Sequence, residues 1–229
     1  MVTYSSLQQL FSDRRSDPAI TLLARTISAL RTDSQFVQAD GDVVGGGFLA
    51  GEAAASLAPE ALDRTLARIE AISALDERAA KAVKQGDSVT AEVAALPSPL
   101  RETALAALDA DHWRFGGVGI RRLIIGSSGE AEVELMRIEP GYGVPTHDHT
   151  AEELTLIVTG AYEDGHAYYG PGDLSVAEPG FAHAPTAQKG DICYVLAVTY
   201  GSPRFLGLFG QFQKVLGFPW SPVVKRELG

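Results

Sequence analysis

Residues 141–160 read GYGVPTHDHTAEELTLIVTG and spell the pattern G-x5-H-x-H-x3-E-x6-G. Side chains on a β-strand alternate between its two faces, so residues an even number of positions apart share a face. His147, His149 and Glu153 are separated by two and by four positions, which places all three on one side of a regular strand. Two neutral imidazoles and a carboxylate suit a borderline divalent metal ion. The stretch therefore predicts a β-strand that carries a metal site.

A second stretch, GPGDLSVAEPGFAH at residues 170–183, contains a Gly-Asp turn and a Pro-Gly turn and ends in a histidine. A ligand from this adjacent strand would close the site. The predicted ligands of one divalent metal ion are therefore His147, His149, Glu153 and His183. Zinc is the first choice for this ion, and the donor set accommodates zinc, iron, manganese or nickel. His112 and His166 match no ligand position and are expected at the surface, and Cys193 is expected to be buried packing.

The region around these motifs consists of short runs rich in Val, Ile, Leu and Tyr, separated by Gly, Pro and Asp. The runs occupy residues 119–126, 131–140, 154–164 and 191–201. Several short strands at near-regular spacing predict an all-β sandwich or barrel.

The two motifs together resemble those of the cupin superfamily, over roughly residues 104–218. Gly172, Gly180 and His183 hold the second motif's frame, whereas Pro179 lies one place late and Ala187 replaces the usual asparagine. The resemblance implies an all-β cupin fold, which is a double-stranded β-helix or jelly-roll barrel.

The N-terminal part of the chain has apolar residues at helical spacing. Asp17-Pro18 is typical of a helix start, with Asp as the N-cap and Pro in the first turn. One apolar face of this helix recurs at steps of three and four, at Ile20, Leu23, Ile27 and Leu30. After a break at the glycine-rich residues 41–47, a second helix is predicted from Pro59. Its apolar side carries Leu62, Leu66, Ile69 and Leu75. Each of these helices needs a partner for its apolar side.

The segment LPSPL at residues 96–100 has a spacing of prolines that resists helix formation and is typical of a linker. The predicted organisation is a small α-helical N-terminal domain at 1–85, a linker at 86–103 and a metal-binding cupin domain at 104–220.

This order of parts resembles the ChrR family of anti-sigma factors. The segments HTAEELTLIVTGAYED, GPGDLSVAEPGFAHAP and SPRFLGLFGQF resemble the family's cupin half, and residues 42–70 resemble part of its N-terminal half. In that family the N-terminal domain carries a zinc site, H-x3-C-x2-C, and holds an ECF-type sigma factor away from RNA polymerase. Here the three matching positions are Ile27, Arg31 and Ser34, so the N-terminal zinc motif is missing. The resemblance implies a regulator whose helical domain binds a sigma factor and whose cupin domain senses a stress signal.

Charge and composition limit the classes of partner. Acidic residues outnumber basic ones 29 to 19, for a net charge of −10. Such a surface repels phosphate backbones, so we expect no direct nucleic-acid binding and a preference for a basic protein partner. No apolar run is long enough for a membrane span, and the first residues lack the features of a secretory signal. A single cysteine excludes an internal disulfide. We expect a cytoplasmic protein, and the helical part is compatible with a homodimer.

Three functions remain open from the residues. We rank a transcriptional regulator first, and we predict no catalytic residue. The second is a cupin metalloenzyme, with a dioxygenase as the first choice, in which substrate or O₂ binds at an open metal position. Its pocket would be lined by Tyr162, Tyr168 and Tyr169. The third is a metal-dependent binding module with neither chemistry nor a sigma partner. Four protein ligands in a closed tetrahedron favour a structural or sensory zinc, whereas a catalytic site keeps one position free.

Overall fold

The structure is a computed structural model that describes residues 14, 17–31, 58–67, 69–70, 88–207 and 228. The chain forms two compact units, one of residues 28–106 and one of residues 1–27 together with 107–229. Residues 1–27 therefore belong to the same unit as the β-strands, although the sequence assigns them to the helical domain. The predicted limits of 1–85, 86–103 and 104–220 remain a prediction. Among the described helices, none is both long and apolar enough to cross a membrane.

Helix α1 spans Pro18–Arg31 and begins where the sequence predicts. The backbone N–H of Ala19 donates to the Asp17 carboxylate at 2.9 Å, and the N–H of Thr21 donates to the Asp17 carbonyl at 2.9 Å. Asp17 is therefore the N-cap, as predicted, because it satisfies amides that have no partner within the helix. The predicted apolar face is buried at Ile20, Leu23 and Ile27 and half-buried at Leu30.

The predicted second helix is present at residues 61–67 and 69–70, and it begins two residues after Pro59. Its apolar side is exposed rather than buried. Leu62, Leu66 and Ile69 have 66%, 49% and 54% of their surface accessible. Leu75, Ser34 and the glycine-rich residues 41–47 lie outside the described residues.

Two further helices, α2 (Ser88–Ala94) and α3 (Leu100–Ala110), flank the LPSPL segment. The prolines interrupt the helical structure between them, as predicted. However, Val93, Leu96 and Leu100 are buried. The stretch predicted as a linker is therefore packed against other parts of the chain and contains helical turns.

The remainder of the described chain is almost entirely β-structure, as the sequence predicts. The strands are β1 (Arg114–Gly117), β2 (Ile120–Ser128), β3 (Ala131–Ile138), β4 (His147–His149), β5 (Glu153–Thr159), β6 (Tyr162–Glu163), β7 (Tyr168–Tyr169), β8 (Leu174–Ala177), β9 (Thr186–Ala187), β10 (Cys193–Thr199) and β11 (Pro203–Phe205). Six of them form one sheet in the order β1-β2-β3-β10-β5-β8, and two smaller sheets have the orders β11-β4 and β7-β6-β9. Every pair is antiparallel.

An apolar core lies between the large sheet and the two small ones. The large sheet contributes alternate residues, which include Ile138, Ile157 and Val195, and the small sheets contribute Tyr162 and Phe205. The intervening residues of the large sheet, such as Leu135, Leu156 and Leu196, are also fully buried. Both faces of its central strands are thus largely apolar, and one of these strands, β5, begins with the predicted ligand Glu153.

Candidate metal centre

The four predicted ligands come together, but by a different route from the one that the spacing suggested. His147 and His149 lie on β4, which pairs with β11, whereas Glu153 begins β5, which pairs with β8 and β10. The prediction of one regular strand from His147 to Glu153 is wrong, because the chain turns at residues 150–152 and passes from one sheet to another. The cluster is therefore made across a corner between two sheets.

Gly201 makes that corner possible. A Cβ atom at this position would lie 2.5 Å from Oγ1 of Thr150 and 2.6 Å from the backbone nitrogen of Ala151. The neighbouring Ser202 closes the corner, since its N–H donates to Oγ1 of Thr150 at 2.9 Å. Only glycine allows the two segments to approach so closely.

The fourth residue, His183, is held opposite His147 by the backbone. The N–H of His147 donates to the carbonyl of His183 at 3.0 Å, and the N–H of His183 donates back at 2.9 Å. Directly opposed residues of an antiparallel pair project their side chains to the same face. Gly180, which has a φ of 78°, lies in the turn that precedes His183.

The ligand atoms of the four residues converge within 4.8 Å of one another. Nε2 of His183 lies 3.0 Å from Nε2 of His147 and 3.3 Å from Nε2 of His149. Oε2 of Glu153 lies 3.3 Å from Nε2 of His149 and 3.6 Å from Nε2 of His183. All four residues are buried. We call these residues the His/Glu cluster.

The protonation of these histidines fits a bound cation. Nδ1 of His147 lies 2.9 Å from the carbonyl of Pro145, so it donates a hydrogen there and leaves the Nε2 lone pair directed at the cluster. Burial, and then the neighbouring His183, lowers the pKa of His147 to about 4. Burial also lowers the pKa of His183. Neutral imidazole nitrogens at these distances repel unless a proton or a cation lies between them, and burial disfavours the proton.

Glu153 supplies the negative charge. Burial would raise the pKa of Glu153, but the hydrogen bond with His149 and the electrostatic interactions with the three histidines lower it by more, so the net shift is downward. The other carboxylate oxygen, Oε1, accepts from the hydroxyl of Thr199 at 3.4 Å. The donor set is three imidazole nitrogens and one carboxylate, which fits a divalent metal ion of the zinc and iron type.

A cavity of about 200 Å³ adjoins the cluster. Its wall is apolar at Met136, Val144 and Val195, and it carries three further carboxylates, at Glu130, Glu132 and Glu134. A cavity of roughly 150 Å³ holds a molecule the size of benzene, so this one has room for a small molecule beside a metal ion.

The remaining predictions about single residues have mixed outcomes. His112 is almost fully exposed, and His166 hydrogen-bonds through Nε2 to the carbonyl of Ala182 at 3.0 Å, so neither belongs to the cluster. Cys193 is buried in β10, as predicted. Of the three tyrosines proposed for a pocket, Tyr162 lines the cavity. Tyr168 is exposed, and Tyr169 packs on Tyr162.

A buried ion pair that was not predicted lies at the wall of the cavity, to which Glu132 and Glu134 contribute. Nε of Arg122 donates to Oε2 of Glu134 at 2.6 Å, and a second guanidinium nitrogen lies 3.3 Å from Glu132. The run AEVELMRI carries the signal, because Glu132 and Glu134 alternate with apolar residues and so share a face of β3. Two carboxylates on an inward face require a cation to neutralise them, and Arg122 on β2 supplies it.

The cupin part of the chain matches a known family. Residues 101–201 match the ChrR cupin-like domain. Over 109 residues the chain is 38% identical to the anti-sigma-E factor ChrR of Cereibacter sphaeroides, and this match covers 48% of the chain and 51% of the relative. The matched segment thus spans about half the length of that relative.

A solved structure is similar over a longer stretch. A chain in the crystal structure of Rhodobacter sphaeroides SigE in complex with the anti-sigma ChrR matches with a TM-score of 0.56 and 28% identity. The match covers 86% of the present chain and 97% of the other. These comparisons confirm the predicted cupin fold and the predicted resemblance to ChrR.

Proposed function

We propose that this chain, whose residues 101–201 match the ChrR cupin-like domain, is an anti-sigma factor that binds an ECF-type sigma factor through its helical residues and senses a signal through a metal ion in the cupin domain. The observation that carries the proposal is the match to a chain of the SigE–ChrR complex. It covers 86% of the present chain and so extends beyond the cupin domain into the helical residues. A chain that shared only the cupin fold would not match over that length. We place its action in the cytoplasm, where it would meet sigma factors.

The exposed apolar side of the second helix supports a protein partner. Leu62, Leu66 and Ile69 follow one another at steps of four and three and are all about half exposed or more. Exposed apolar patches of this kind mark protein–protein interaction sites. By contrast, Leu23 and Ile27 of α1 are buried within the chain and are not available to a partner. We therefore assign Leu62, Leu66 and Ile69 to the sigma-binding surface. The acidic net charge of −10 favours a basic partner and disfavours DNA.

The metal ion would be held by the His/Glu cluster. We propose zinc, with iron, manganese or nickel as the alternatives that the same donor set accommodates. A bound metal would supply a Lewis-acidic centre at the wall of the cavity, where a small signal molecule could reach it. The protein's own residues hold that centre: the carbonyl of Pro145 orients His147, and Thr199 orients Glu153. We propose no metal in the helical part, because Ile27 is a buried apolar residue at a position where the family has a ligand.

Capture of a sigma factor tests the function. A tagged full-length chain, expressed in its native host, should co-purify with a sigma factor that mass spectrometry identifies. Leu62→Asp and Leu66→Asp should each abolish capture, since either would place a charge within an apolar interface. Val118→Asp is the matched control, because Val118 is 73% exposed in the turn between β1 and β2 and should tolerate the change. Capture of a sigma factor that survives both leucine substitutions would show that the interface is elsewhere.

The cavity favours one competing function, a metalloenzyme. Its volume and its position beside the His/Glu cluster are what a substrate site requires. The two functions differ in what His183→Ala does. For an enzyme, this variant loses all turnover. For the regulator, it still captures the sigma factor and fails only to respond to the signal. A chain that consumes O₂ with a small-molecule substrate and captures no sigma factor would replace the proposal with the dioxygenase.

A further inference from the structure

Four polar residues connect the start of α1 to the edge of the metal centre. A guanidinium nitrogen of Arg14 donates to Oε1 of Glu152 at 2.7 Å, and its Cζ atom lies 4.8 Å from the centre of the Tyr200 ring. The hydroxyl of Tyr200 donates to Oδ2 of Asp17 at 2.8 Å. We call Arg14, Asp17, Glu152 and Tyr200 the Arg14 cluster.

Two members of the Arg14 cluster, Glu152 and Tyr200, are each next in sequence to a residue at the metal centre. Glu152 precedes Glu153, and Tyr200 follows Thr199, whose hydroxyl donates to Glu153. Glu153 and Thr199 are register partners of β5 and β10, and the N–H of Tyr200 donates to the carbonyl of Glu152 at 3.0 Å. The Glu153 carboxylate and the Arg14 cluster are thus attached to the same pair of hydrogen-bonded backbone segments.

The other end of the cluster is the N-cap of α1. Oδ1 of Asp17 accepts the N–H of Ala19, and Oδ2 accepts the hydroxyl of Tyr200, so both carboxylate oxygens have a partner. Burial, and then the hydrogen bond with Asp17, raises the pKa of Tyr200 to about 12, so its phenol remains a donor at neutral pH. Loss of the Tyr200 contact leaves the Asp17 carboxylate without one of its two donors and weakens the start of the helix.

We propose that the Arg14 cluster couples occupancy of the metal centre to the order of helix α1. With a metal bound, Glu153 is fixed between the histidines and the neighbouring Glu152 and Tyr200 hold the helix start. When the metal is removed, the mutual repulsion of the buried histidine nitrogens and the loss of the cation release Glu153, and the Arg14 cluster loosens. This gives the regulator's cupin domain a route by which a change at the metal alters a helix. The inference rests on the proposed metal site, and it rests on the proposed anti-sigma function only for the identity of the regulated partner.

Hydrogen exchange in the isolated full-length protein tests the coupling without any sigma factor. The amides of residues 21–27 should exchange roughly 10- to 100-fold faster after zinc is removed by a chelator, the factor expected for loss of one charge-assisted hydrogen bond. In Arg14→Ala and Tyr200→Phe the exchange should be fast with or without zinc. Arg114→Ala is the matched control, because Arg114 makes a similar contact with Asp111 at 2.6 Å and should leave the zinc dependence intact.

A pair of charge-swap substitutions distinguishes loss of the coupling from simple loss of folding. Arg14→Glu alone should remove the zinc dependence, and Arg14→Glu combined with Glu152→Arg should restore it. Exchange of residues 21–27 that does not depend on zinc in the unmodified protein, or a dependence that survives in Tyr200→Phe, would overturn the coupling. A chain that binds no metal would overturn it as well. Zinc-dependent exchange in a chain that captures no sigma factor would instead leave the coupling intact and remove only the proposed function.

Discussion

Removal of one ligand from the His/Glu cluster gives the most direct test of the metal centre. In His149→Ala, the Nε2 atom that lies 3.3 Å from both His183 and Glu153 is deleted. Structural zinc sites contribute about 10–16 kcal/mol, so one of four ligands carries roughly 2.5–4 kcal/mol. We therefore expect the affinity for zinc to fall about 100- to 1,000-fold.

The same change has a defined effect on thermal stability. A metal present at about 1,000 times its dissociation constant stabilises the folded state by roughly 4 kcal/mol. For a chain of this length each kcal/mol raises the melting temperature by about 2–4 °C, so zinc should raise it by about 8–16 °C in the unmodified protein. In His149→Ala the same zinc concentration is only about 1–10 times the dissociation constant, and the increase should shrink to roughly 1–6 °C.

Differential scanning calorimetry with zinc and with a chelator measures both shifts. His112→Ala serves as the control, because His112 is exposed and lies outside the cluster. A full zinc-induced increase in His149→Ala, or its loss in His112→Ala, would refute the assignment of the ligands. Matching results for His147, Glu153 and His183 variants would extend the assignment to all four.

Three further changes follow from the structure. Burial raises the pKa of Cys193 to about 12, so the thiol is protonated at pH 8. Iodoacetamide should therefore leave Cys193 unmodified in the folded protein and alkylate it in urea. Rapid modification of the folded chain, detected by mass spectrometry, would contradict this prediction. Glu134→Leu should lower the free energy of unfolding by about 3–5 kcal/mol, because it removes the main partner of the buried Arg122. The double variant Glu134→Leu/Arg122→Met should recover most of that loss, as measured by urea titration. An unchanged stability in Glu134→Leu would mean that the ion pair is solvated. Gly201→Ala should weaken both zinc binding and stability, since the new Cβ displaces Thr150 at the corner between β4 and β5. If calorimetric titration with zinc gives the same affinity as for the unmodified protein, the corner can adjust to the new side chain.

The sequence alone identified the four residues of the His/Glu cluster and the fold that carries them. Each of the two motifs, one with His147, His149 and Glu153 and the other with His183, is local, and so are the short apolar runs that form β2, β3, β5 and β10. The N-cap at Asp17 is equally local, because capping depends on one side chain and the next few amides. These features could be predicted because each is set by residues within about one strand or one helical turn.

Other features depend on which distant segments meet, and only the tertiary structure decided them. Spacing placed Glu153 on the same strand as the histidines, whereas the chain turns at residues 150–152 and Gly201 lets two sheets approach there. Periodicity identified two apolar helical faces but not which of them is buried. The contacts of Arg14 with Glu152 and of Tyr200 with Asp17 join residues separated by 138 and 183 positions. No local pattern encodes such pairs, because their partners are chosen by the packing of the whole chain rather than by their neighbours in sequence.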